Sequence, residues 1–434
     1  MQRRMPDTLE MQPVSQPIVA RVRPPGSKSI TNRALVCAAL SDGISILRGA
    51  LDSEDTRVMI DGLGRLGIAV ESRDAGRTLK VHGAAGRIPA VEAELFCANS
   101  GTTIRFLTAV ATLGHGAFRL DGVARMRERP IADLLDALTQ LGAIVKSESE
   151  NGCPPVVVHA NGLPGGKATV RGDISSQFLS GLLMAAAGAA APVEVSIDGL
   201  LVSQPYVRMT LAVMKEFGVD VTTNDALSRF EIAAPLRYRA CGYAIEPDAS
   251  AASYFWAAAA VTGGEVTVEG LSARSLQGDV AFVDCLAAMG CEVHAGADEI
   301  TVVGRPLHGV DVDMNAISDT VQTLAVVALF ADSPTTIRNV GHIRHKETDR
   351  IAALATELRK LGATVEERED GLTITPGTLN PAAVDTYHDH RMAMSFALSG
   401  LRQPGVRIND PGCTAKTYPE FFADLQKIAR QESI

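Results

Sequence analysis

Lys28, Ser29, Thr31, Asn32 and Arg33 fall within six residues of the segment PPGSKSITNRAL (24–35), between a proline-glycine turn and an apolar run through Leu35, Val36, Ala38, Ala39 and Leu40. The turn followed by apolar residues places this polar cluster at the start of a helix. Unpaired backbone N–H groups and the positive end of the helix dipole gather there, so an anion is the natural ligand. Lys28 and Arg33 would add full charges, Ser29 and Thr31 short hydroxyl donors. The segment is not a Walker loop, because Ser27 separates Gly26 from Lys28. Taken alone, a capped helix with a solvated lysine fits these residues equally well.

Three other stretches concentrate charge. ARMRERPI (124–131) carries Arg125, Arg127, Glu128 and Arg129, and CTAKTYPE (413–420) places Lys416 in a loop. RHKETDRI (344–351) is predicted to open a surface helix with Lys346, Glu347 and Arg350 on neighbouring faces. A solvated charged face would explain any one of them. His388 and His390 flank Asp389, but no third ligand stands nearby at zinc spacing. Ser175 and Ser176 lack an adjacent histidine and a nucleophile-elbow pattern. What remains is a set of anion donors with two carboxylates, Asp319 and Glu347, which suits proton transfer on anionic substrates.

The elements that must position these groups recur. An amphipathic helix ending in Leu-x-x-Leu-Gly or a variant, then a short β-branched strand, appears five times. Its glycines are Gly67, Gly142, Gly218, Gly290 and Gly362, at steps of 75, 76, 72 and 72. Glycine there is the expected left-handed helix cap. A second strand follows each: TLKVHG, PVVVHA, RFEIAA, EITVVG and GLTITP. Each unit also carries an alanine-rich helix with a polar start, and aligning Ser29, Gly101, Ser176, Ser250, Asp319 and His390 gives steps of 72, 75, 74, 69 and 71. A helix apolar all round is a buried helix. Six units therefore nearly fill 434 residues, each reading strand, buried helix, strand, surface helix and two hairpin strands. Three buried helices per domain would send their amino ends to one face, and two such faces would enclose a cleft.

Length alone argues for two domains, and 46% hydrophobic residues leave material for both cores. A net charge of −9 argues against nucleic acid as a partner. Seven cysteines without CxxC pairs read as reduced thiols of a cytoplasmic protein. The opening MQRRMPDTLEMQP has no apolar core of a signal peptide, and Leu179–Ala191, the most apolar run, is too short for a bilayer. The sequence thus predicts a protein without a membrane partner.

Taken together, PGSKSITNRAL, NSGTTIRFL, RMRERPI, DISSQFLS, DASAASYF, KETDR, DHRMAMSFAL and CTAKTYPE resemble the 5-enolpyruvylshikimate-3-phosphate synthase family, in order from about residue 12 to 428. The resemblance implies an α/β fold of two inside-out α/β barrel domains, each of three βαβαββ repeats. One domain would comprise residues 1–25 plus 245–434, with residues 26–244 inserted as the other. It implies transfer of the enolpyruvyl group of phosphoenolpyruvate to the 5-hydroxyl of shikimate 3-phosphate through a tetrahedral intermediate in the cleft, by a monomer with no metal and no organic cofactor. Position by position, Lys28, Ser29, Arg33, Ser175, Ser176, Gln177, Ser203, Tyr206, Asp319, His342 and Lys346 would meet shikimate 3-phosphate. Lys28, Asn99, Gly101, Arg129, Gln177, Arg350, His390, Arg391 and Lys416 would hold phosphoenolpyruvate. Asp319 resembles the family's base and Glu347 its acid, with Lys28 sharing the proton traffic. Cations beside Glu347 favour its ionised form, so bound anions or burial must offset them before it can donate.

The chain departs from the pattern at His342, where Asn is frequent, at Phe106, where Pro is common, and at Ser100, which replaces a frequent Ala. Gly101 is retained where resistant members carry a bulkier residue, implying inhibition by glyphosate. The competing readings are the related transferase acting on UDP-N-acetylglucosamine and a non-catalytic anion-binding scaffold. Against the first, Ser29 follows Lys28 and no cysteine lies between Cys97 and Cys153. Against the second stands the intact set Lys28, Asp319, Glu347 and Lys416.

Overall fold

A computed structural model describes residues 5–432 and 434. The chain divides into two compact units, residues 26–245 and residues 1–25 with 246–434. Each has its own apolar core.

The unit of residues 26–245 is built on helices with no solvent-facing stripe. Gly101–Ala111 is buried along its whole length, Ser176–Ala186 at all but Gln177, and Lys28–Ala39 from Ile30 onward. Small residues suit such helices, because an alanine-rich surface lets neighbours approach closely on every side. The amphipathic helices Glu54–Arg65, Ala132–Gln140 and Gln204–Glu216 bury one face only.

One wiring rule governs the sheets. In the second repeat, Glu92–Phe96 pairs parallel with His115–Asp121, which pairs antiparallel with Val156–Asn161, and that strand with Ile144–Ser147. The third repeat copies this with Gly166–Arg171, Val193–Asp198, Arg229–Ile232 and Thr222–Thr223. In the first repeat the leading strand comes from the far end of the unit: Tyr238–Arg239 and Gly242–Ala244 pair parallel with Ser41–Arg48.

The other unit uses the same rule with its own exchanges. Val19–Val22 pairs parallel with Glu265–Glu269, supplying the leading strand of the fourth repeat. Thr8–Glu10 pairs antiparallel with Arg407–Asn409, completing the sixth sheet after the hairpin strands run out. The amino-terminal segment is therefore stitched into this unit at two places about 250 and 400 residues downstream. Its buried helices are Ala249–Thr262, Val321–Val327 and His390–Ala397.

Two local readings of the sequence change. The segment AISDTVQTLAVVALF is not one helix: a 3-10 turn over Asn315–Thr320, broken at Ile317, precedes the α-helix Val321–Val327. In KETDR the helix begins only at Arg350, because the Asp349 carboxylate accepts from the Ala352 N–H and caps it there. Lys346 and Glu347 thus stand in the preceding turn rather than on a helical face.

The five repeat glycines all take positive φ, +88° at Gly67, +90° at Gly142, +82° at Gly218, +112° at Gly290 and +104° at Gly362. At Gly362 an added Cβ would also collide with the Thr378 carbonyl oxygen. Gly362→Ala should therefore lower stability by more than ~1 kcal/mol, from the left-handed backbone alone. Gly64, inside a helix with nothing within 4 Å of a built Cβ, is the control. Gly64→Ala should raise stability by about 0.4–1 kcal/mol. Thermal melts of the two variants, moving in opposite directions, are the check.

Candidate functional half-sites

In the unit of residues 26–245, the buried helices begin with neutral hydroxyl caps. Ser27, Ser100 and Ser175 accept from the N–H groups of Ile30, Thr103 and Gln177, and no acidic residue occupies any of the three first turns. The first turns also touch one another. Asn32 donates to Thr102 Oγ1 at 2.8 Å, and Arg105 Nη1 to Gln177 Oε1 at 2.6 Å. Arg33 binds Thr210 Oγ1, the Ser29 carbonyl, Ser180 Oγ and the Tyr206 carbonyl at 2.7–3.3 Å. Its guanidinium lies 5.3 Å from the Phe106 ring centre, so the residue that replaces proline there supplies a cation–π face. Burial pulls Arg33 down to about 10, which leaves it a cation at neutral pH.

Arg33 is thus largely consumed in holding Ser29 and Tyr206 in place. Lys28 is different: its ammonium stands 3.4 Å from the Asp55 carboxylate, at the first turn of its helix. Arg129 donates to both the carbonyl and Oδ1 of Asn99, at 2.9 and 3.1 Å. A Cβ on Gly101 would lie 2.6 Å from Arg129 Nη2 and 3.1 Å from Arg105 Nη1. The glycine is what lets two guanidiniums approach this helix start. Ser203 precedes its helix at φ +53°, a costly conformation for serine. Arg105 escaped the sequence reading. It reaches Gln177 and the Pro130 carbonyl beside Arg129, and its signal was its place in NSGTTIRFL.

In the unit of residues 1–25 and 246–434, helix starts carry aspartates instead. Asp248 caps Ala249–Thr262 and Asp389 caps His390–Ala397. Fully buried Asp389 also receives Arg350 Nε at 2.7 Å, and Arg350 Nη2 binds Glu347 at 2.9 Å. Asp319 collects three cations: Lys346 at 2.6 Å, Arg391 at 2.7 Å and Arg350 at 3.2 Å. Lys416 stands 3.9 Å from Glu347. Burial works to lower Arg350, and the charges of Asp389, Glu347 and Asp319 more than offset it. Burial likewise pushes Lys346 below the usual lysine value, with Asp319 opposing. His390 is buried at this same helix start, its Nδ1 3.6 Å from Asp389. Asp389 is the group the sequence left without a role.

His342 is buried beside this cluster. Burial first, then the Lys346 charge, push its imidazole down to about 3. It therefore stays neutral at any working pH and can donate through one nitrogen and accept through the other.

Among the described residues, no group of three or more His, Cys, Asp or Glu side chains is disposed to hold a metal ion, and no helix is long and apolar enough to cross a membrane.

Buried helices and small mixed sheets define an α/β protein with cationic side chains gathered at its helix starts. The comparisons agree with that class. Over 98% of each chain, the fold superposes on an EPSP synthase from Acinetobacter baumannii with a TM-score of 0.80 at 24% identity. It matches the enolpyruvyl transferase NikO from Streptomyces tendae over 97% of each chain, at a TM-score of 0.77 and 20% identity. Residues 13–425 match the family of EPSP synthases, 3-phosphoshikimate 1-carboxyvinyltransferases. A 3-phosphoshikimate 1-carboxyvinyltransferase of Trichormus variabilis is 49% identical, covering 98% of this chain and all of that protein. The chloroplastic enzyme of Arabidopsis thaliana is 48% identical, over 97% and 84% of the two chains. The chain belongs to the EPSP synthase family, a family of enzymes.

A neutral, buried His342 has a consequence for acid stability. The unfolded state takes up its proton near the ordinary 6.5 while the folded state does not. The imidazole therefore costs no stability above that value and progressively more as pH falls from 6.5 toward 3. His342→Asn should flatten that part of the melting-temperature profile and leave the melt at pH 8 nearly unchanged. A profile identical to the parent's between pH 6.5 and 4 would refute it.

Proposed function

We propose that the chain transfers the enolpyruvyl group of phosphoenolpyruvate to the 5-hydroxyl of shikimate 3-phosphate and releases phosphate. Family membership supports the reaction, and one observation carries it to these residues: Asp319 and Glu347 are each held by cations on the unit whose helix starts bear aspartates. The hydroxyl-capped starts of the other unit are proposed to receive the shikimate phosphate through Lys28, Ser29, Ser175 and Ser176. Gln177, Ser203 and Tyr206 would orient the ring, with Arg33 bracing Tyr206 through its carbonyl. Asn99, Gly101 and Arg129 are proposed for phosphoenolpyruvate, together with Arg350, His390, Arg391 and Lys416. His342 and Lys346 would complete the shikimate contacts.

In the addition step, the 5-oxygen bonds to C2 of phosphoenolpyruvate while Asp319 takes the hydroxyl proton. Glu347 delivers a proton to the methylene, which becomes a methyl group, and Lys28 is proposed to share the proton traffic. In the elimination step the bond from C2 to the phosphate oxygen breaks as that oxygen takes the proton held by Asp319, and a methyl proton returns to Glu347. Phosphate leaves and the enol ether remains. Proton transfers of this kind are worth typically 10²–10⁴-fold each. Bringing two multiply charged anions together is the larger electrostatic problem, and the cations and helix starts are suited to it.

The finer reading of the fold is the family's pair of inside-out barrels, supported by the wholly buried helices and the recurrent sheets. A monomer in the cytoplasm fits the seven free thiols. Inhibition by glyphosate is proposed from Gly101, whose missing side chain leaves room at Arg129 and Arg105.

The test is phosphate release from shikimate 3-phosphate and phosphoenolpyruvate, with UDP-N-acetylglucosamine as the control acceptor. Turnover should require shikimate 3-phosphate, fall at least ~100-fold in Lys28→Ala, and stop with millimolar glyphosate. Gly101→Ala must displace the Arg129 guanidinium, and a methyl group in a filled pocket discriminates by ~10–200-fold. It should weaken glyphosate far more than phosphoenolpyruvate. Release with the sugar nucleotide alone would overturn the assignment.

A further inference from the structure

Asp279 is a buried carboxylate that the proposed chemistry does not use. It sits in the short 3-10 turn Gly278–Ala281 and accepts a hydrogen bond from Ser250, in the first turn of the buried helix Ala249–Thr262. The neighbouring Gln277 fastens the same helix start, accepting from the Ala249 N–H at 3.0 Å and donating to the Pro247 carbonyl at 2.6 Å. The charged groups acting on Asp279 come from three elements. They are Asp248 at the helix cap, Asp319 in the turn Asn315–Thr320, and Arg391 from His390–Ala397. Arg391 is shared: it binds Asp319 directly at 2.7 Å while also lying within electrostatic reach of Asp279.

Asp319 has a difficulty as a base. Three cations within 3.2 Å favour its charged form and blunt its appetite for a proton. A second negative charge close by works the other way, because a like charge makes proton uptake more favourable. Asp279 is the carboxylate placed to do this, because its turn Gly278–Ala281 packs against the turn Asn315–Thr320 that carries Asp319, and its anchorage on Ser250 fixes where that charge stands.

We infer that Asp279 is a positioning residue for the proton transfer at Asp319, its charge offsetting part of the field of Lys346, Arg350 and Arg391. The inference rests on the reading of Asp319 as the base. Burial first, then the charge of Asp319, raise Asp279 to about 6, while the Ser250 hydrogen bond and Arg391 pull the other way. Below that pH Asp279 is neutral, the offset is lost and turnover declines. Above it Asp279 is an anion and Asp319 is at its most basic.

The experiment is the pH profile of kcat with shikimate 3-phosphate and phosphoenolpyruvate for the wild type, Asp279→Asn and Ser250→Ala. The wild type should show an acidic limb near pH 6. Asp279→Asn should abolish that limb and lower the plateau kcat roughly three- to tenfold, a pKa unit being a factor of ten. Its KM for phosphoenolpyruvate should not rise, since a negative charge has been removed from beside Arg391. Ser250→Ala removes a hydrogen bond that favours the anion, so its limb should move to higher pH. Asp279→Asn should melt no lower than the wild type at pH 7.5, because a buried charge has gone. An unchanged limb in Asp279→Asn, or a lowered melt with an unshifted profile, would overturn the inference. An inactive wild type would instead overturn the assigned reaction; should Asp279→Asn fail to fold, the direction of the Ser250→Ala shift decides.

Discussion

Every buried helix in this protein starts with backbone N–H groups that no helical carbonyl can reach, and the fold depends on what satisfies them. In residues 26–245 the answer is serine, at positions 27, 100 and 175. A hydroxyl cap meets one N–H and leaves the positive pole uncompensated, so an incoming anion still gains from it. In the other unit the answer at Ala249–Thr262 and His390–Ala397 is aspartate. A carboxylate neutralises the pole and then has affinity to spare for cations, which is how Asp389 comes to hold Arg350. One repeated element thus serves two electrostatic ends: one unit presents bare poles, the other presents guanidinium and ammonium groups anchored on its own acids.

Buried ion pairs of this kind are held by mutual dependence. Removing one partner of a buried pair typically costs ~3–5 kcal/mol because the survivor is left charged and unpaired. Arg350 touches Asp389, Glu347 and Asp319 at once, so it couples both proposed proton-transfer groups to the helix cap. Such a network resists reorganisation when substrates arrive, which is what electrostatic catalysis requires of its donors.

The repeat also decides which residues meet. Arg105 reaches Gln177 across 72 positions, and Arg391 reaches Asp319 across 72. Asn32 bonds Thr102, and Ser253 pairs with Thr323, each across 70. These separations are one repeat long, because within each unit successive buried helices meet near their starts. The chemistry is therefore distributed along the chain at the period of the fold.

Much of this was legible in the chain. Five Leu-x-x-Leu-Gly phrases exposed the period because a helix that must stop and reverse into a strand needs a residue at ease with positive φ. The helix start in PPGSKSITNRAL could be read for a similar reason, since local turn chemistry and helix polarity are properties of neighbours in sequence. The family motifs carried the residue roles that are proposed. What the sequence left open depends on distance. KETDR looked like a helical face until the Asp349 side chain was seen to cap Ala352 and begin the helix at Arg350. The completion of the first, fourth and sixth sheets by strands from elsewhere in the chain is invisible to any local pattern. Asp389, Asp279 and Arg105 acquire meaning only from partners tens of residues away. A carboxylate's work is set by the charges around it, and only the folded chain brings those charges together.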